Sequence, residues 1–240
     1  PEGEFIDVNA GTRDITCGIT LDATAKLYCW RGYNGNGGSG LGLGNCGDST
    51  SYNVPTEVGI HCLNPPDWPA EWTAVDVGRA TVCGINGGAL YCWGRNAWGQ
   101  VGNSDWDVDV ERPVQIGTDT DWVAISVGRS HVCGIREDMM GDGTMYCWGK
   151  NDFGKLGLGL DLTGVADCGW HDGGEGAFYC DTPKLVDDTL DWDAVDAGRY
   201  HTCGIAEGVV YCWGNNSSSQ LGHPDNAPAY SDTPIAISNP

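Results

Sequence analysis

Residues 121–157 read DWVAISVGRSHVCGIREDMMGDGTMYCWGKNDFGKLG, and laying this stretch against the rest of the chain decides the fold. It recurs as EWTAVDVGRATVCGINGGALYCWGRNAWGQVG at 71–102 and as DWDAVDAGRYHTCGIAEGVVYCWGNNSSSQLG at 191–222. A degenerate first copy, EFIDVNAGTRDITCGITLDATAKLYCWRGYNGNGGSGLG, occupies 4–42, with Phe5 in the Trp place. Each copy closes on a short Pro-led segment around Pro55, Pro113, Pro183 and Pro234. Self-similarity at this period is the signature of a repeat architecture and divides the chain into copies at about 1–66, 67–118, 119–188 and 189–240, read as one domain.

Within a copy, the apolar residues alternate over runs of four to six residues, and helical spacing does not occur. The expected elements are a Trp-x-x-Val-x-Val strand, a Cys-Gly-Ile strand, a Tyr-Cys-Trp strand and the Pro-led strand. In the second copy Asn86-Gly87-Gly88-Ala89 signals a two-residue hairpin, and counting back from it sets Cys83 opposite Cys92. The fourth copy repeats that count around Glu207-Gly208, setting Cys203 opposite Cys212. By the same pattern Cys17 meets Cys29 and Cys133 meets Cys147, across longer turns at 22–24 and 137–143. Residues facing at such non-hydrogen-bonded positions have Cα atoms about 4.5 Å apart, at the short end of disulfide geometry.

Twelve cysteines with no Cys-x-x-Cys argue for disulfides over zinc ribbons or redox motifs, and hence for an oxidising, extracytoplasmic compartment. The remaining four, Cys46, Cys62, Cys168 and Cys180, fall beside extended insertions at about 31–53 and 158–181 in the first and third copies, and spacing leaves their pairing open. The matching Leu41-Gly42-Leu43-Gly44 and Leu156-Gly157-Leu158-Gly159 suggest duplication of a two-copy unit.

The repeat motifs, Gly-Arg-x-His-x-Cys-Gly-Ile, Tyr-Cys-Trp-Gly-x-Asn and Gly-Gln-Leu-Gly, resemble the regulator-of-chromosome-condensation repeat over essentially the whole chain. The resemblance implies an all-β β-propeller; the four copies and the paired cysteines make it one of about four blades, stapled by disulfides. The best-known member of that family is seven-bladed and acts on a small GTPase in the nucleus; four copies and many cysteines argue against carrying that role over. A secreted bacterial member inhibits a hydrolase, so the resemblance also admits an inhibitor. Four copies leave a tightly closed ring, a fragment of a longer propeller, or an array with bare end faces that partners or head-to-tail self-association would cover.

The formal charge of −21, from 12 Lys and Arg against 33 Asp and Glu, opposes binding to nucleic-acid backbones and anionic membrane surfaces. No apolar run approaches the roughly 18 residues of a membrane span. The opening PEGEFIDV lacks the features of a signal peptide, so Pro1 is expected to follow a removed leader or a cut.

Insertions on the rim of a rigid scaffold are where recognition concentrates. Tyr33 and Tyr52 in the first, and Trp170, His171, Phe178 and Tyr179 in the second, are candidates to stack on a glycan or a protein partner, or else to pack beneath their own loops. Arg79, Arg129 and Arg199 follow Gly at matching places and would form a ring, serving as an anion site or, as repeat-wide residues usually do, holding the repeat together. His131 and His201 share a position with Thr81, which suits a packed hydrogen-bonder better than a metal ligand. Asp105, Asp107 and Asp109 alternate with Glu111: on a strand these carboxylates would share a face, and in a loop they could chelate calcium, the cofactor the composition allows. Val110 at the Gly position rules out an EF-hand loop. Asn215 and Asn216 head two overlapping glycosylation sequons, yet Asn216 aligns with Asn96 and Asn151, which head none.

No Gly-x-Ser-x-Gly or phosphate loop is present, so no reaction class is assigned. The reading is a non-enzymatic extracellular binding or structural scaffold that recognises a protein or glycan through its rim loops or builds a surface assembly or filament. A hydrolase inhibitor is one alternative. The other is a glycosidase- or lyase-like enzyme with carboxylates at the propeller mouth.

Overall fold

The computed structural model describes residues 4–12, 15–31, 54–58, 71–171, 176–222 and 228–237. Each copy of the repeat forms one antiparallel sheet. The first holds β1 (Phe5–Ala10), β2 (Ile15–Thr20), β3 (Leu27–Arg31) and β4 (Thr56–Glu57), in that order. The second holds β5 (Trp72–Val77), β6 (Thr81–Asn86), β7 (Ala89–Gly94) and β8 (Val110–Gln115). The third holds β9 (Trp122–Val127), β10 (His131–Glu137), β11 (Gly143–Lys150), β12 (Cys168–His171) and β13 (Ala177–Leu185), with β12 added outside β13. The fourth holds β14 (Trp192–Ala197), β15 (His201–Ala206), β16 (Val209–Asn215) and β17 (Tyr230–Ala236).

The hairpin count fixes the observed register. Gly87 and Gly88 have φ of 54° and 77°, the left-handed pair that a tight hairpin turn requires, and Cys83 lies opposite Cys92. Glu207 and Gly208 repeat this at 51° and 76°, with Cys203 opposite Cys212. Four bridges, Cys17–Cys29, Cys83–Cys92, Cys133–Cys147 and Cys203–Cys212, thus cross the second and third strands of successive sheets, each with Cα atoms 4.1 Å apart. The turn after β2 spans 21–26, wider than 22–24, because pairing stops at Ile19 with Leu27.

A larger departure concerns the insertion at 158–181. Part of it is sheet: Phe178 and Tyr179 extend the outer strand backwards from Pro183, and β12 pairs with that extension to set Cys168 opposite Cys180. The aromatic and Cys residues that marked this segment as a loop are also good strand formers. Pro113 and Pro234 lie within β8 and β17, the last strands of their sheets, where a missing N–H costs no ladder bond.

The sheets stack in chain order, with β1 against β5, β5 against β9 and β9 against β14, so the first strands lie innermost. Gly11, Gly78 and Gly128 mark the closest approach; a Cβ on each would lie 2.3, 2.2 and 2.5 Å from the carbonyl oxygen of Gly78, Gly128 and Gly198. That contact explains the Gly of the Gly78-Arg79 and Gly128-Arg129 turns, while a Cβ on Gly198 would lie 2.5 Å from the His201 ring. Side chains lock the same seam: Asp7 and Asn9 accept the N–H groups of Val75 and Val77, Asp76 accepts that of Val127, and Ser126 Oγ accepts that of Ala197.

The Trp opening each of the last three sheets packs edge-on against the Tyr and Trp of its third strand. Trp72 meets Tyr91 and Trp93, Trp122 meets Tyr146 and Trp148, and Trp192 meets Tyr211 and Trp213, with ring centroids 5.6–6.3 Å apart. The loops after β7 and β11 reach into the next sheet, where Gln100 O accepts from Trp148 Nε1 and Lys155 O from Trp213 Nε1. No helix among the described residues is long and apolar enough to cross a membrane.

Candidate functional site

The turns after the innermost strands and the loops after the third strands emerge on one face near the axis, because every sheet repeats the same order. Between them lies a cleft of about 160 Å³. The Gly-Arg turns supply Arg79, Arg129 and Tyr200, and the Trp-Gly-x positions at the ends of β7 and β11 supply Arg95 and Lys150. The following loops add Trp98, Gln100 and Asp152.

The groups below the cleft are tightly held. Lys155 is fully buried, donates to Ser130 Oγ at 2.9 Å and pairs with Asp152, which also lies 3.5 Å from Lys150. Burial pushes the Lys155 ammonium down to about 8, against the opposing pull of Asp152. Lys150 Nζ sits 4.3 Å above the Trp98 ring. Arg129 donates from Nη1 to the Tyr200 hydroxyl, while Arg199 lies over the Tyr200 ring at 4.8 Å. Of the predicted arginine ring, the structure brings Arg79 and Arg129 into the cleft and leaves Arg199 at its margin.

His131 is buried, and its Nε2 lies 2.8 Å from Thr202 Oγ1. That hydroxyl gives its own proton to Lys155 O, so Nε2–H is the donor and Nδ1 is left without a partner. Burial, reinforced by the Lys155 charge, holds the imidazole well below its usual range. Below about 6.5 the unfolded chain takes up a proton that the folded chain refuses, so stability is retained above that pH and lost as pH falls. His131→Thr, which installs the residue of the second copy, should flatten this acid-side loss by up to about 1.4 kcal/mol per pH unit. Melting temperatures of both proteins at about pH 7.5 and about pH 5.5 check it; equal slopes would contradict it.

Beside the cleft the third-sheet insertion meets the loop of the second sheet. His171 lies between Trp98 and Trp106, with ring centroids 5.1 and 5.0 Å away, and Tyr179 packs 5.5 Å from Trp106. Phe178 packs on Trp170, whose own ring is 61% exposed. Three of the four predicted aromatics therefore serve the loop, and Trp170 faces outward. Tyr33, Tyr52, Cys46 and Cys62 lie outside the described residues.

The acidic stretch does not form a strand face. Asp105, Asp107 and Asp109 are exposed on a bend, Asp107 has φ of 63°, and β8 begins only at Val110. Asp109 accepts the backbone N–H of Asn96. Among the described residues no group of three or more His, Cys, Asp or Glu side chains is arranged to hold a metal. Asn96, Asn151 and Asn216 perform one task, accepting the N–H of Val101, Leu156 and Leu221. Asn216 is fully buried with Nδ2 donating to Pro228 O, and Asn215 is buried beside it.

Sequence reasoning missed Arg95, Lys150, Trp98 and Tyr200. A signal existed: only in the second and third copies do both the Gly-Arg and the Trp-Gly-x positions carry cations.

Comparison with known proteins places these features in context. The model described as the regulator of chromosome condensation (RCC1) repeat matches residues 87–135, 142–205 and 207–240. The E3 ubiquitin-protein ligase HERC2 of Homo sapiens is 31% identical over 149 residues, 61% of this chain and 3% of that protein. The ultraviolet-B receptor UVR8 of Arabidopsis thaliana is 28% identical over 225 residues, 92% of this chain and 44% of that protein. Yeast RCC1 (Prp20), solved bound to Kap60, superposes with a TM-score of 0.77 at 18% identity, covering 100% of this chain and 50% of that one. Human WBSCR16 gives 0.74 at 17% identity, covering 99% and 55%. The chain thus spans half or less of the proteins it matches in sequence and about half of these solved chains.

Proposed function

The chain belongs to the regulator of chromosome condensation repeat family, and from that premise we propose that it is a non-catalytic, secreted or surface-exposed scaffold that binds a protein or glycan partner at its rim and associates head to tail with further copies. One observation carries the assembly reading. Ile85 and Ile135 are each 1% exposed and Leu90 and Met145 each 0%, whereas their fourth-sheet counterparts Ile205 and Val210 are 38% and 42% exposed. What covers this face elsewhere is the first strand of the next sheet. At the other end of the chain, Val8 is 63% exposed where its counterpart Val75 is 4%, and Phe5 is 38% exposed where Trp72 is 4%.

The two end faces complement each other in polar groups as well. Asp196, exposed in the fourth sheet, occupies the acceptor place of Asn9, Asp76 and Ser126. Ala10 occupies the donor place of Val77, Val127 and Ala197 in the first. A second copy's β1 laid on β15 and β16 would repeat the internal seams. Bridges in every sheet suit an oxidising compartment. The strong negative charge argues against nucleic acid as the partner.

Light scattering of the oxidised chain across a wide concentration range tests the assembly. The expected result is a mass that climbs above 25.5 kDa, that stays monomeric in Val8→Asp and in Val210→Asp, and that recovers only to a one-to-one pair when those two variants are mixed. A constant mass near 25.5 kDa at every concentration would overturn it.

A further inference from the structure

Four of the chain's 12 cationic side chains, Arg79, Arg95, Arg129 and Lys150, converge on one cleft in a molecule with a formal charge of −21. Its lining carboxylate, Asp152, is already engaged by Lys155 and Lys150. Neither Arg95 nor Arg129 has a carboxylate within ion-pair distance among the described residues. Crowding like charges is unfavourable, and among the described residues Arg95 and Arg129 meet this cost with no carboxylate beside them. We infer that the cleft is an oxyanion site that takes the carboxylate side chains of an acidic peptide segment on a partner protein.

The lining selects for that chemistry. Guanidinium forks match a carboxylate with paired hydrogen bonds, and Arg129 is oriented by the Tyr200 hydroxyl. The aromatic faces are taken: Lys150 covers Trp98 at 4.3 Å, and Arg129 and Arg199 approach Tyr200 at 5.5 and 4.8 Å. Among the described residues no bare ring in the cleft is left for a sugar or base to stack on. At about 160 Å³ the cleft suits one or two side chains and falls short of the roughly 300 Å³ at which pockets for whole small molecules begin. The surrounding negative field repels extended polyanions and admits a short segment inserted locally.

This inference rests on the recognition half of the reading above, with the contact moved from the rim to the axial cleft, and is independent of blade-to-blade docking, so the scattering result neither supports nor weakens it. The test is fluorescence anisotropy of a fluorescein-labelled peptide carrying consecutive Glu and Asp residues, titrated with the oxidised full chain at low salt. A Gln/Asn version of the peptide and inorganic phosphate form separate arms. The expected result is saturable binding of the acidic peptide, at least tenfold weaker for Arg95→Gln and for Arg129→Gln. Binding should be unchanged for Arg112→Gln on β8, and all three variants should melt as the parent does. Equal binding of the acidic and neutral peptides, or affinity in both cleft variants equal to the parent's, would overturn the inference. Binding of phosphate without binding of peptide would overturn it too, leaving a site for small free anions only.

Discussion

Reduction is expected to unfold the protein. The bridges close loops with sequence separations of 9 to 14 residues, and each constrains the unfolded chain by about 3 kcal/mol in the loop-entropy account. Five such constraints rival the whole stability of a typical domain, roughly 5–15 kcal/mol. Most of the cysteines are fully buried, so the native state shields them and reduction should follow opening of the sheets. Thermal melts with and without reductant, after equilibration at moderate temperature, check this. Loss of the cooperative transition under reduction is predicted. An unchanged melting temperature, with free thiols confirmed by alkylation, would show that the apolar seams suffice alone.

Trp148→Ala should be the most damaging single substitution outside the cysteines. The ring is completely buried, packs on Trp122 and ties the second sheet to the third by donating to Gln100 O. Gly102 is shaped around it, for a Cβ there would lie 2.6 Å from the indole nitrogen. Removing the indole leaves a cavity between two sheets and an unpaired carbonyl, for a cost of about 3–5 kcal/mol. Trp170→Ala, on an exposed ring, should change stability by no more than about 0.5 kcal/mol. Denaturant melts of both variants decide it; similar midpoints would contradict the account of the seam.

The repeat was legible because its residues answer to local rules. Gly87-Gly88 permits one tight turn, that turn fixes the register, and the register sets Cys83 against Cys92. The task of Asn96, Asn151 and Asn216 was likewise visible as a repeat position before its bonding was known. What escaped was whatever depends on contacts between sheets. Nothing near Arg95 in sequence indicates that Arg129 and Lys150 meet it across two further turns. The β12–β13 hairpin was hidden because Phe178 and Tyr179 suit a strand and an exposed binding loop equally. The acidic run at 105–109 looked like a shared face only while its backbone was assumed extended; the positive φ of Asp107 and the bond from Asn96 N–H to Asp109 break the alternation.

The proposed assembly holds that, as each sheet is completed by the next, the exposed Ile205 and Val210 receive the first strand of another copy. Hydrogen–deuterium exchange of the oxidised chain at low and high concentration tests it at the level of strands. The account predicts that added protection at high concentration appears in β1 and in β14 to β16, while β6 to β11 exchange identically at both. Exchange that does not change with concentration, or added protection elsewhere with these strands unaffected, would contradict it.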